Sequence, residues 1–209
     1  MSPTVFWDCG GQFDLADIDG KLYVPGAVTI RARLARLAAH ARSLGTPRIA
    51  LLVTHQPGDP DIAEKPDYKA SFPAHCLAGT PGHRQVPELA FAQPVVIARD
   101  KQDRNAVIDR VRAGRDEIAV EIPTFDPWSN PMSEVVLETL GRRRVIAYGI
   151  PADRSVVPSI EGLLARGLEV LLVRDACRPF AQPAWDTAIA GWAERVALVS
   201  TSDVLTRLS

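Results

Sequence analysis

Three side chains with catalytic potential fall where predicted β-strands end. Asp8 ends the first apolar run of the chain, His55 follows the second, and Ser155 follows a later one. In open α/β sheets, ligands bind outside the carboxyl ends of the strands. A carboxylate, an imidazole and a hydroxyl at that edge therefore indicate a candidate site for acid–base or nucleophilic chemistry.

Each of these side chains also has a purely structural interpretation. A carboxylate at a strand end can accept hydrogen bonds from backbone amides of the following turn. For Asp8 this structural interpretation and the catalytic one are both open. Ser155 directly precedes an apolar helical segment, so it or Asp153 could cap that helix, and as a nucleophile it would need a neighbouring base. His55 and His75 are too far apart in the sequence to form a local metal-binding motif.

The elements that must position these residues alternate between strands and helices. Uninterrupted apolar runs, typical of strands buried on both faces of a parallel sheet, occupy residues 5–8, 48–54, 95–97, 118–121, 145–148, 170–173 and 196–199. Segments with helical periodicity occupy residues 27–44, 132–140, 156–166 and 182–193. The alternation predicts a single α/β domain over residues 1–209, with a doubly wound, mainly parallel sheet and helices on both faces.

One segment, residues 56–93, does not follow this alternation. It is rich in Pro, Gly, Asp and His, and it is too long for an ordinary connection inside a compact domain. Loops of this length are usually functional or disordered. The composition around residues 72–82 indicates ordered turns, so we expect this loop to belong to the site.

Composition restricts the classes of partner and compartment. The 209 residues carry a formal net charge of −1 and are 46% hydrophobic, so no basic excess points to nucleic acid. No apolar run approaches the ~20 residues of a transmembrane helix, and the N-terminus lacks the layout of a signal peptide. Three cysteines without a C-x-x-C pair indicate reduced thiols. We expect a cytoplasmic protein with a small-molecule substrate or ligand, no nucleic acid partner and no membrane association.

Several segments together resemble the isochorismatase-like hydrolases, and nicotinamidases in particular. Residues 72–82 resemble the run F-P-x-H-C-x-x-G-T-P-G, and residues 8–13 with 23–26 resemble the D-x-Q-x-D-F opening and a later V-P-G. Further matches to P-T-F-D-x-F-x-N, to Y-G-V-x-T-D-x-C-V and to the G-L-x-x-x-G and V-x-D-A endings lie at residues 123–130, 148–156, 162–167 and 173–177. The resemblance spans the chain and implies this family's fold, a hydrolase acting on a small metabolite, and a homo-oligomer.

The family mechanism uses a Cys nucleophile, an Asp base and a Lys, with backbone amides as an oxyanion hole. Under the resemblance Asp8 matches the Asp, Ser155 stands at the Cys position and Ile122 at the Lys position, while Arg99 and Lys101 lie outside the matching frame. Loss of the cation and added apolar surface should raise the pKa of Asp8. We therefore expect Asp8 to act as a general acid or base without Cys-based covalent catalysis, as in the isochorismatase branch, which lacks the Cys but retains the Lys.

The resemblance also indicates residues that would contact the substrate. These are Phe13, Trp128, Ile150 and Pro151, of which Trp128 is a candidate for either the pocket or an interface. Family members commonly have a cis peptide before the nucleophile turn, and a proline lowers the cost of that isomer. We therefore predict that the Ile150–Pro151 bond is cis.

A divalent metal such as zinc is the cofactor that the resemblance suggests, and no organic cofactor is expected. Amidase members bind the ion through a D-x-H pair and a second His. His55 and His75 match the histidines, but Val53 stands at the Asp position. Glu64 or Asp59 could supply the lost oxygen ligand, since zinc accepts carboxylate alongside imidazole.

Three functions follow from these substitutions. The first is a hydrolase-like enzyme centred on Asp8, favoured by retention of Asp8 and the histidines. The second is a catalytically inactive member that serves as a ligand-binding or assembly protein, favoured by loss of the Cys and the Lys. The third is an amidase that uses Cys9 or Cys76 instead.

Overall fold

Seven strands, all paired in parallel, form one sheet in a computed structural model that describes residues 4–114, 116–192 and 194–207. The strands are β1 (Thr4–Cys9), β2 (Arg48–Val53), β3 (Val95–Ile97), β4 (Glu117–Ile122), β5 (Arg144–Gly149), β6 (Glu169–Cys177) and β7 (Val196–Val199). Their spatial order is β3–β4–β2–β1–β5–β6–β7. The predicted mainly parallel sheet is confirmed.

Helices cover both faces of the sheet. They are α1 (Phe13–Ala16), α2 (Arg31–Ser43), α3 (Arg104–Gly114), α4 (Met132–Leu140), α5 (Val157–Ala165), α6 (Gln182–Gly191) and α7 (Thr201–Arg207). Successive residues of β1 point to opposite faces. Accordingly Phe6 contacts the ring of His40 in α2, whereas Trp7 donates a hydrogen bond to Ser159 in α5.

The observed elements differ from the predicted ones in identifiable places. The segment predicted as one helix over 27–44 begins with a 3₁₀ turn at Ala27–Ile30 before α2. Helix α3 was not predicted, because only Val107 and Val111 of its residues are buried and the apolar stripe is narrow. Strand β6 continues to Cys177, past the predicted end, because it pairs with Gly149 after an irregularity in register.

The strand order reverses beside β1. Strand β2 lies on one side of β1 and β5 on the other, so the carboxyl ends of β1 and β5 form the crevice where ligands of such sheets bind. The two chain turns meet closely there: the amide of Ile150 donates to the carbonyl of Cys9 at 2.8 Å. Gly10 has a φ of +77°, and a Cβ placed on it would overlap the carbonyl oxygen of Ile150.

No helix among the described residues is long and apolar enough to span a lipid bilayer. The helices instead bury one face on the sheet, as Leu34 and Leu37 of α2 and Ile160 of α5 do.

Trp128 is fixed by packing between β1 and α5. Its ring stacks on Trp7 with centroids 5.7 Å apart, the guanidinium of Arg166 lies 3.9 Å from its ring centre, and its Nε1 donates to the carbonyl of Pro158 at 2.8 Å. Gly162 of α5 lies directly against the indole. Trp128 is half-buried, and these contacts hold its indole against the core. Its role in lining a pocket or an interface stays a prediction.

This packing predicts that Gly162→Ala destabilises the protein. The added methyl would overlap the indole of Trp128, and overpacking of this kind costs about 2 kcal/mol. The matched control is Gly191→Ala at the end of α6, where a Cβ would meet nothing within 4 Å and the free energy of unfolding should stay equal or rise slightly. Urea unfolding of both variants measures the difference; equal stabilities would contradict the packing described here.

Candidate functional site

Two polar side chains of the opening motif, Gln12 and Asp14, are held by buried hydrogen bonds and show how the resemblance aligns there. Gln12 is fully buried and bonds both backbone groups of Val53, donating to the carbonyl at 2.7 Å and accepting from the amide at 2.8 Å. Asp14 accepts the amide of Cys76 at 2.7 Å. Because Gln12 and Asp14 match the Q-x-D of D-x-Q-x-D-F, the motif places its first Asp at position 10, which is Gly10. The assignment of that role to Asp8 was two residues out of frame.

Asp8 instead forms a buried ion pair beneath α2. Its side chain points to the same face as Phe6, and its Oδ2 accepts from Arg48 at 3.0 Å, with side-chain exposures of 0% for Asp8 and 3% for Arg48. Arg48 also donates to the carbonyl of Leu89 at 2.6 Å and lies over the ring of Phe91. One signal in the sequence could have indicated this partner: Arg48 starts an otherwise apolar strand.

Burial raises the pKa of Asp8 to about 6, and the neighbouring Arg48 opposes that rise. The predicted direction is therefore found, with desolvation as its main cause. The prediction considered only the missing Lys, and it did not foresee that a different cation, Arg48 at the amino end of β2, lies beside Asp8. A carboxyl group that is closed off from solvent and paired in this way has no route to a substrate in the described conformation.

Ser155 lies in a π-helical turn, Ala152–Val156, between β5 and α5. It is 2% exposed and its hydroxyl donates to the carbonyl of Phe125 at 3.0 Å. Ser155 does not cap α5, and Asp153 accepts amides of the loop after β6 rather than of this helix.

The neighbourhood of Ser155 lies on the face of β1 opposite to Asp8. One turn after Ser155, Ser159 contacts Trp7 and Cys9, whose side chains alternate with that of Asp8 along the strand. The structure therefore does not bring Asp8 and Ser155 together as a catalytic pair.

Three backbone amides of the turn that contains Ser155 already have acceptors. Pro151 has no N–H, the amide of Ala152 donates to Arg178 at 2.8 Å, and those of Arg154 and Ser155 donate to the carbonyl of Pro151 at 3.3 and 2.8 Å. The Ile150–Pro151 bond is cis, as predicted. Residues 151, 152, 154 and 155 therefore offer no free amide for an oxyanion.

Ile122 ends β4 and is fully buried. Shortly after it in the chain, Phe125 belongs to an aromatic cluster with Phe72, Phe180 and His75, in which five pairs of rings have centroids 5.4 to 6.3 Å apart. Of the expected substrate contacts, Ile150 and Pro151 are buried and Phe13 is half-buried. A substrate-binding role for these three residues stays a prediction.

His55 and His75 do meet, although the chain separates them. Their ring centroids lie 4.6 Å apart. Nδ1 of His55 lies 3.2 Å from Asp59 Oδ2, and Nδ1 of His75 lies 2.9 Å from the carbonyl of Pro73. Burial lowers the pKa of His75 to about 4, so its ring is neutral near pH 7. Nε2 of each ring is buried without a hydrogen-bond partner among the described residues.

Two aspartates join this pair, and Glu64 does not. Ligand atoms of His55, Asp59 and Asp61 lie within 4.8 Å of one another, which makes this cluster a possible metal site. Glu64 is exposed and stands outside the cluster. Its predicted role as a ligand is wrong, because the loop turns back on itself before position 64, where the amide of Ala63 bonds the carbonyl of Phe72. Asp59, the other predicted oxygen donor, is in place.

The cysteines are poor nucleophiles. Cys9, Cys76 and Cys177 are all buried, and burial raises the pKa of Cys9 and Cys76 well above the ordinary value. Because the thiolate is the reactive form, the geometry opposes an amidase that uses Cys9 or Cys76.

Comparison with known proteins identifies a family. A family model described as Isochorismatase domain matches residues 5–204. No curated protein sequence matches the chain significantly.

Solved structures share the fold at low sequence identity. The chain is similar to a pyrazinamidase of Pyrococcus horikoshii in complex with zinc, at 18% identity and a TM-score of 0.73, covering 95% of this chain and 99% of that one. It is also similar to a pyrazinamidase/nicotinamidase of Streptococcus mutans, at 16% identity and a TM-score of 0.73, covering 94% of this chain and 99% of that one. A third similar structure is an N-carbamoylsarcosine amidase of Thermoplasma acidophilum, at 19% identity and a TM-score of 0.69, covering 96% of this chain and 97% of that one.

The buried ion pair predicts a specific pH dependence of stability. The pKa of Asp8 is about 6 in the folded protein against an ordinary value of 3.8. A raised pKa adds stability at low pH that is lost as the pH rises from about 4 through 6. Asp8→Asn removes this titration, so the stability of wild type relative to Asp8→Asn should fall by up to about 3 kcal/mol over that interval and then stay level. Urea unfolding at pH 4 to 8 measures it; a constant difference would refute the assignment.

Proposed function

The chain belongs to the isochorismatase family, and we propose that within it the protein is a non-catalytic member. It binds a small metabolite and a divalent metal ion but does not run the family's cysteine-hydrolase cycle. The observation that carries this proposal is the combination of Gly10, Ile122 and Ser155 at the positions of the family's Asp, Lys and Cys.

Each of the three substitutions removes a different part of the chemistry. Gly10 has no side chain to take a proton, and Ile122 has no charge to hold an anion in place. Ser155 has a hydroxyl that needs a neighbouring base to attack, and its hydrogen bond goes to the carbonyl of Phe125 instead. The amides of residues 152, 154 and 155 already donate to carbonyl groups of the chain. This further supports the proposal, because amides that are engaged in this way do not stabilise a tetrahedral intermediate.

The loss at position 10 is built into the backbone. Gly10 adopts a φ of +77°, which side chains rarely accept, and its α-carbon lies against the carbonyl of Ile150. An Asp at this position would require the turns after β1 and β5 to separate. The backbone geometry at Gly10 thus favours a protein that lacks the Asp of the family reaction.

The histidine pair supports retention of a metal site. Each ring presents a buried Nε2 without a partner among the described residues, while its Nδ1 faces an oxygen acceptor, as in many metal-bound histidines. Asp61 Oδ1 is also buried without a hydrogen-bond partner there. The residues whose ligand atoms converge, His55, Asp59 and Asp61, would hold a divalent ion, with His75 beside His55 as a further nitrogen donor. Zinc suits histidine and carboxylate donors of this kind. The ion would supply a Lewis-acidic position for a polar group of the ligand.

A second candidate is a hydrolase in which Asp8 acts as general acid. One observation favours it, namely the pKa of about 6, which leaves the carboxyl partly protonated near neutral pH. Its full burial and its bond to Arg48 make this candidate the weaker of the two.

A homo-oligomeric state and a cytoplasmic location are also part of the main proposal.

Turnover and metal content test the proposed function together. We expect zinc-loaded protein to release no ammonia from nicotinamide and no product from isochorismate, while it retains about one zinc ion per chain. His75→Ala should lose most of that zinc. Turnover that disappears in Ser155→Ala would overturn the proposal, and turnover that disappears in Asp8→Asn would establish the second candidate.

Thiol reactivity tests the catalytic corner directly. A Cys at position 155 would be buried, as Ser155 is, and would face the carbonyl of Phe125. We therefore expect Ser155→Cys to react with Ellman's reagent only after unfolding. Wild type is the matched control, because its cysteines are all buried and should be equally silent in the folded state. A rapidly reacting thiol in folded Ser155→Cys would show that the corner still activates a nucleophile.

A further inference from the structure

Three large apolar side chains are exposed in segments that meet around the 3₁₀ turn Ala27–Ile30. Ile18 is 70% exposed, Val28 is 45% exposed and Leu198 is 47% exposed. Ile18 lies in the loop after α1, Val28 lies in the turn itself, and Leu198 lies in β7, an edge strand of the sheet. Exposed apolar side chains that are grouped in this way mark a candidate interaction surface.

The loop on one side of the turn is acidic. Arg31, the first residue after the turn, donates to Asp17 at 2.7 Å and so fixes this loop beside the turn. Arg31 is shared with Glu88, and Asp19 is exposed with no cationic partner among the described residues. Even with the exposed side chain of Lys21 included, carboxylates outnumber cations on this side.

The other side of the turn, toward β7, is basic. Arg174, Arg178 and Leu198 line one cavity there, with a volume of about 490 Å³. The guanidinium of Arg178 donates to the hydroxyl of Thr29 at 3.4 Å, which joins the cavity to the turn. Neither arginine pairs with a carboxylate in the part of the chain that the structure describes. Asp175 also lines the cavity, but both of its oxygens are engaged by other groups.

We propose that this surface is the interface between two copies of the chain, which pack about a two-fold axis near Val28. Ile18 of each copy enters the cavity beside Leu198 of the other copy, and Asp19 pairs with Arg174. A two-fold axis forms each contact twice, so it suits a surface that carries both halves of the contact. This inference rests on the homo-oligomeric part of the proposed function and specifies its surface.

The distribution of charge favours a second copy as the occupant. When two such surfaces face each other, the acidic loop of each copy meets the unpaired arginines of the other, which fixes the register of the contact. Burial of the three apolar side chains supplies favourable association free energy. A small anion bound in the cavity would satisfy the arginines, but it would leave Ile18 and Val28 exposed.

Charge reversal tests the interface, with the molar mass measured by light scattering across a dilution series. We expect wild type to be a dimer, and Asp19→Arg and Arg174→Glu each to raise its Kd at least tenfold, or about 1.4 kcal/mol. Each reversal places like charges opposite each other at two symmetric contacts. The double variant should dimerise more tightly than either single variant, because the pair forms again with its charges exchanged.

Ile18→Gln tests the apolar part of the contact. The side chain is mostly exposed in the single chain, so its replacement should leave the circular dichroism spectrum unchanged while it raises the Kd of the dimer at least tenfold. An unchanged Kd in Ile18→Gln would overturn the placement of Ile18 in the cavity.

Lys65→Glu and Asp109→Arg are the matched controls, since they reverse exposed charges in the long loop and in α3. Both should leave the Kd unchanged. A dimer that resists both single reversals at the interface, or a double variant that regains nothing, would overturn this inference while the homo-oligomeric state stands. A monomeric wild type would overturn the homo-oligomeric state as well, and an assembly of more than two copies would overturn the two-fold arrangement.

Discussion

The close contact between the turns after β1 and β5 is the constraint on which the site depends. Ile150 bonds the carbonyl of Cys9 through its amide, and its own carbonyl lies against Gly10. This contact occupies the point of the sheet where the strand order reverses and where a catalytic side chain would project. A residue with a Cβ does not fit there, so the constraint that closes the two turns also removes the family's base.

The polar groups that remain divide into two separate sets. On the α2 face, Asp8 and Arg48 form a buried pair that also anchors the segment carrying Leu89 and Phe91. A pair of this kind is weak evidence for net stability, but leaving either partner alone in the core would be costly. Beyond the carboxyl end of β2, His55 and His75 keep unpartnered nitrogens among the described residues. The first set serves the fold, and the second is the one available to a ligand.

Local patterns predicted much of this structure. Strands β3 and β7 were predicted with their observed bounds, because each is an uninterrupted apolar run, and the positions of Ser155, His55 and His75 followed from motifs. Long-range pairing was not predicted: Arg48 reaches Asp8, and Arg99 reaches Asp59, from positions 40 residues away in the sequence. The error at Asp8 had another origin. The first Asp of the motif was matched to Asp8 because Asp8 is an aspartate at a strand end, although the spacing from Gln12 places that position at Gly10.

The intact mass of the protein after rapid acid quench from a reaction with nicotinamide tests the central claim most directly. A cysteine-hydrolase cycle, or a serine version of it, passes through an acyl group on the residue at position 155. The structure described here predicts an unmodified mass at every time point, with zinc present or absent. An acyl adduct that maps to the peptide containing Ser155 would contradict it.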